Sequence, residues 1–113
     1  MDKQLQLNLK FIGTIENELK KDDVINIDDK VNIVVKDIKQ SGLGFGSNQV
    51  IIEYLFNVFF VGVPSGLIAT LIYDKLLKGK NKLVDESRKI VIITKEELAN
   101  YLELLKKESS EKK

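Results

Sequence analysis

Residues 49–62 read QVIIEYLFNVFFVG, and the conformation given to this stretch decides the fold. Gln49, Glu53 and Asn57 recur every four residues on an otherwise apolar background. A spacing of four marks one face of a helix, so the reading adopted is an apolar helix with a narrow polar stripe, ended by Gly62. Pro64 then suits the first turn of a second helix, where a missing amide hydrogen costs nothing. That helix runs through PSGLIATLIYDKLLK to Gly79, with Thr70, Asp74 and Lys78 again four apart. Lys75 and Lys78 near its end complement the helix dipole.

Outward from this pair, strands are expected. Residues 5–12 (LQLNLKFI) alternate apolar and polar, the pattern of a half-buried strand broken by Gly13. Residues 14–21 allow a helical turn or two. VINI, between Asp22-Asp23 and Asp28-Asp29, is a loop or a short edge strand. Residues 31–39 (VNIVVKDIK) form a β-branched strand. Residues 41–48 (SGLGFGSN) are a glycine-rich loop. Residues 80–89 read as a charged connector and 90–93 (IVII) as a buried strand. Thr94-Lys95-Glu96-Glu97 is a capping box, and the helix after it aligns Leu98, Tyr101, Leu102 and Leu105. The expected fold is α+β in two layers. A mixed or antiparallel sheet of three to four strands packs against a central apolar helical pair and a C-terminal helix. Residues 1–108 form one domain, and 109–113 are a disordered tail.

Composition narrows the chemistry. The 113 residues contain no cysteine and no histidine. Disulfides, thiolate catalysis, His-based nucleophile pairs and the commonest zinc ligand are therefore excluded, and a reducing, cytoplasmic location is expected. Eighteen basic residues face seventeen acidic ones, with Arg88 the sole arginine. That balance argues against a nucleic-acid partner. The start at Met1-Asp2-Lys3 carries no secretory pattern.

Several motifs invite a function, and each has a plainer reading. Residues 54–73 lack charge and are long enough to cross a bilayer, followed by lysines at 75, 78, 80 and 82. The turn-forming Gly62–Gly66 in their middle favours a buried hairpin of helices. Gly42, Gly44, Gly46 and Ser47, before a helix start, are candidates for an anion or nucleotide. However, Ser47 replaces the third glycine of a dinucleotide fingerprint, and no P-loop lysine follows. The Asp22-Asp23 and Asp28-Asp29 pairs lack calcium-loop spacing, so no metal is expected. Glu53, in apolar company, is read as an exposed carboxylate. Arg88 is read as a surface charge. Phe56, Phe59, Phe60, Leu67, Leu71 and Tyr73 are the candidates for partner contact, because two such apolar helices exceed what a small sheet can cover.

The order of strand, glycine loop, apolar helix, second helix (SGLIATLIYDKLLKGK), KIVIIT and closing helix resembles the effector-associated constant component domains of bacterial conflict systems. The likeness spans roughly residues 30–106 and rests on Leu67, Leu71 and Asp74-Lys75-Leu76. Tyr73 alone represents the aromatics expected at the helix end. The resemblance implies a non-enzymatic adaptor for an effector, with no cofactor and no site residues. The expected function is thus protein binding, including self-association. Membrane association through 54–73 and anion binding through 42–47 are the alternatives.

Overall fold

A computed structural model describes residues 4–15, 19–40, 49–59, 62–79 and 81–111. Six strands, β1 (Gln4–Thr14), β2 (Val24–Asp28), β3 (Val31–Gln40), β4 (Gln49–Phe59), β5 (Lys82–Asp85) and β6 (Ile90–Ile92), form one sheet. Its order is β2-β3-β4-β1-β5-β6, and every neighbouring pair is antiparallel. Two helices complete the fold: α1 (Ser65–Ile72), extended by a π-helical turn at Tyr73–Leu77, and α2 (Lys95–Glu111).

The principal correction falls on residues 49–59, which are strand and not helix. A period of four is also twice the strand period of two, so polar residues at 49, 53 and 57 share a face in either conformation. In β4 that face also carries Ile51, Leu55 and Phe59, while Val50, Ile52, Tyr54, Phe56 and Val58 are buried on the other. The β-branched and aromatic residues suit the strand. β4 pairs with β1 along its whole length, from Gln4 opposite Phe59 to Thr14 opposite Gln49. The expected helical pair is therefore replaced by a strand and one helix, and three to four strands become six. The connector at 80–89 contains β5, which hydrogen-bonds to β1 through Lys10–Ile12. Residues 54–73 are not one helix, since 54–59 lie in β4 and 65–72 in α1. Among the described residues no helix is long and apolar enough to cross a membrane.

The run at 90–93 is a strand but not one covered on both faces, since β6 lies at the sheet edge with Val91 and Ile93 exposed. Several other expectations hold. The alternation at 5–12 is β1, with Leu7, Leu9 and Phe11 buried. VINI lies in an edge strand. In β3, Val31, Ile33 and Val35 point inward, and a bulge between Val35 and Asp37 shifts the phase so that Ile38 faces Ile52. The extra residue, Lys36, is exposed. The capping box forms as read: Glu97 N donates to Thr94 Oγ1 at 3.1 Å, and Thr94 N to Glu97 Oε1 at 3.0 Å.

The core lies between one face of the sheet and the helices. Ile68, Ala69 and Ile72 of α1 and Leu98, Leu102 and Leu105 of α2 close over Phe11, Tyr54, Phe56, Leu83 and Ile92. Tyr54 anchors it, with ring centroids 5.7 Å from Phe11 and 5.9 Å from Phe56. Ser65 donates to Glu103, and α1 packs on α2.

Gly13 does not end β1. It pairs with Val50 and leaves room for Asn81, whose Oδ1 lies only 2.0 Å from where a β-carbon would sit. Asn81 cannot easily yield, because it accepts from Thr14 N at 3.0 Å and donates to the Leu76 carbonyl at 2.9 Å. Gly13→Ala is expected to cost about 2 kcal/mol, the scale of overpacking. In an Asn81→Ala background most of that cost should vanish, as urea denaturation of the double-mutant cycle will show. An equal cost in both backgrounds would refute the steric account.

Candidate functional site

The turn from β5 to β6 and the facing side of α2 bring the most strongly perturbed ionisable groups together. Asp85, 3% exposed, ends β5 with its side chain toward the helices. Its Oδ2 accepts from Tyr101 Oη at 2.6 Å and Arg88 Nη1 at 3.0 Å. Its Oδ1 accepts from Ser87 Oγ at 2.7 Å and Arg88 N at 3.2 Å. Burial by itself would raise its pKa, but bonds from Tyr101, Ser87 and Arg88 outweigh it and hold the carboxyl at about 2. Burial, then donation to Asp85, pushes the Tyr101 hydroxyl well above its ordinary value. Arg88 also bridges to Glu108 on α2, with Nε donating to Oε2 at 3.3 Å.

This cluster has the marks of a catalytic centre, yet its bonding capacity is used up. Four donors fill the four lone-pair directions of the Asp85 carboxylate. No oxygen is left for a proton in transit. The network clamps the β5–β6 turn to α2, and Arg88, exposed as expected of a surface charge, also ties Asp85 to Glu108.

The opposite face of the sheet is different, because no described element covers it. The strand registers arrange its side chains in rows. Asn26, Asn32, Asn57 and Gln6 form an amide row. Asn57 Oδ1 accepts from Gln4 and Gln6 at 3.2 and 3.0 Å, and Asn57 Nδ2 donates to Asn32 Oδ1 at 2.8 Å. The next row is aliphatic, with Val24 (56% exposed), Val34 and Leu55. A charged row follows, with Glu53 opposite Lys10 and Asp37, and Lys10 bonded to Glu86 at 2.8 Å. Ile51 and Ile12 form another apolar pair, and Val91 and Ile93 lie exposed toward the β6 end. Aliphatic side chains in water thus stand between polar groups that already satisfy one another.

The residues expected to contact a partner do not share a surface. Phe56 is core, fully buried beside Tyr54. Phe59 is on the open sheet face, 37% exposed at the end of β4. Leu67 is exposed on α1, while Leu71 and Tyr73 are half-buried. Phe60 and the loop candidates Gly42, Gly44, Gly46 and Ser47 lie outside the described residues. Glu53 belongs to the charged row. Among the described residues no acidic cluster suits a metal ion. Val24, Val34 and Leu55 were missed because their surface exists only once β4 is a strand. The available signal was the β-branched and aromatic content of Val50, Ile51, Ile52, Tyr54, Phe56, Val58 and Phe59.

Comparison of the chain with family models, curated proteins and solved structures returns no match.

The Asp85 clamp has a pH signature. A folded pKa of about 2 against an ordinary 3.8 gives stability that is present above pH 3.8 and lost as pH falls toward 2. The shift corresponds to about 2 kcal/mol at neutral pH. Asp85→Asn should lose that amount at pH 7, measured by urea denaturation, and should flatten the acid limb of the stability curve between pH 4 and 2. An unchanged acid limb would refute the clamp.

Proposed function

We propose that this chain is a protein-binding adaptor module whose partner docks on the open face of the sheet. The observation that carries this reading is the aliphatic row Val24–Val34–Leu55, held in water on a rigid surface beside the interlocked amides. Six strands about 4.8 Å apart, with up to eleven residues at about 3.4 Å, bound the face at about 24 by 37 Å. That is the scale of one side of a standard interface, about 800 Å². The outward aliphatics supply apolar anchors. Lys10, Lys36, Lys39 and Glu53 surround them with charges that would select among partners.

The face is a better candidate than the sheet edges. β2 is five residues long, bulged between Asn26 and Asp28, and flanked by Asp22-Asp23 and Asp28-Asp29. Short length, a bulge and charge are devices that discourage strand addition. β6 has three residues. A reducing cellular setting for a chain without cysteine agrees with this reading. A second copy of the chain is the simplest partner to test.

A photo-crosslinking p-benzoylphenylalanine at Val34 or Leu55 is expected to capture the partner, or a second chain, whereas the same group at Leu67 or Leu104 on the helical side is not. Leu55→Lys should weaken association at least tenfold by sedimentation while leaving the melting temperature within a few degrees. Crosslinking from the helical positions alone would overturn the assignment of the face.

A further inference from the structure

The outer edges of the sheet discourage strand addition, but β1 has an open edge inside it. On one side β1 pairs with β4 along all eleven of its residues. On the other side β5 covers only Lys10, Phe11 and Ile12. β5 ends at Asp85, and a turn at 86–89, with Lys89 at a φ of 57°, carries the chain out to β6. Residues 4–9 therefore have no strand beside them on that side among the described residues. At about 3.4 Å per residue the gap is about 20 Å long.

Two hydrogen bonds show which backbone groups face it. Successive residues of an antiparallel strand turn their N–H and C=O groups to opposite sides. Thr14 N donates to Asn81 Oδ1 at 3.0 Å, on the β5 side, so Gln4, Gln6 and Asn8 point that way too. Phe59 N donates to the Lys30 carbonyl at 2.8 Å, on the β3 side, so Phe56 and Val58 turn to β1, where they meet Leu7 and Leu5. The main-chain groups of Gln4, Gln6 and Asn8 are thus left facing the gap, with no backbone partner among the described residues. All three residues are exposed. Across the gap stand the β5–β6 turn and α2. A cleft of about 310 Å³ is lined by Leu5, Gln6 and Asn8 on one side and by Arg88, Leu105 and Glu108 on the other. Asp85 and Glu108 outnumber Arg88, so its wall carries an excess of negative charge.

We propose that this cleft takes up an extended segment of another protein as an added strand, in line with β5 and antiparallel to β1. The main chain of the segment pairs with Gln4, Gln6 and Asn8, and its alternate side chains supply specificity. Those opposite Leu5 and Leu7 point toward α2 and are aliphatic. The excess of carboxylates favours a basic residue over an acidic one. The cleft is separate from the docking face, so either can fail without the other.

Acetyl-Thr-Val-Thr-Val-Lys-amide is the probe, titrated into the full chain and followed by amide NMR and hydrogen exchange. In the free chain the Gln6 and Asn8 amides should exchange fast and those of Leu7 and Leu9 slowly, and the peptide should slow the first pair. N-methylation of the second threonine and the lysine, whose amides face β1 in the complex, should weaken binding about tenfold. N-methylation of the two valines, whose amides face away, should leave it within about twofold. A glutamate in place of the lysine should weaken it about threefold. Gln6→Pro removes a donor from the gap and none from the β1–β4 ladder, so the protein should still melt cooperatively while binding is lost. Leu55→Lys, on the docking face, should leave peptide binding unchanged. Slow exchange of Gln6 and Asn8 in the free chain, equal weakening by the two N-methylated peptides, or equal binding of the lysine and glutamate peptides would each overturn the proposal. Protection that grows with protein concentration alone would overturn it in favour of a second copy of the chain.

Discussion

The fold depends on the antiparallel pairing of β1 with β4. Eleven residues of each strand face one another without interruption. Because side chains alternate, this single register sets which residues become core and which meet solvent. It places Leu7 beside Phe56, Leu9 beside Tyr54 and Phe11 beside Ile52, all on one side. A slip of one residue would put the two inward sets on opposite sides, turning either Leu7, Leu9 and Phe11 or Tyr54 and Phe56 to water. The outer strands adapt to this frame. β3 inserts Lys36 to bring Ile38 back into phase, and β5 lays Leu83 beside Phe11.

The two sides of the sheet use polar groups in contrasting ways. On the helical side Asp85 is buried, and its cost is offset by four donors from Tyr101, Ser87 and Arg88. On the other side the amides of Gln4, Gln6, Asn32 and Asn57 bond among themselves in view of solvent. The first arrangement fixes a turn against a helix. The second stiffens a surface without closing it, which is the property a docking face needs.

Much of this was legible in the residues, and the exceptions have physical causes. β1 and β3 announce themselves through alternation and β-branching, and α2 through Thr94 and Glu97. β4 does not, because a polar residue every fourth position satisfies both backbone periods, and its outer face mixes Ile51 and Leu55 with Glu53 and Asn57. β5 hid in a charged stretch because only Leu83 and Asp85 turn inward, and a buried aspartate reads as solvent-exposed until its partners are known. Those partners, Arg88 three residues on and Tyr101 sixteen residues on, come together only through the β5–β6 turn and α2. The open face was invisible because a surface shared among six strands has no signature in any one of them.

The central position of β1 also has a temporal meaning. It precedes both of its hydrogen-bonding partners in the sequence, which begin at Gln49 and Lys82. While the chain grows on the ribosome, both edges of an eleven-residue, half-apolar strand wait for segments not yet made. The β2–β3 hairpin can close locally in the interval, but it cannot satisfy β1. Such long-range pairing makes for slow closure. The nascent chain therefore passes through a stage in which β1 has neither neighbour to pair with, and the whole sheet is complete only once β6 has left the exit tunnel.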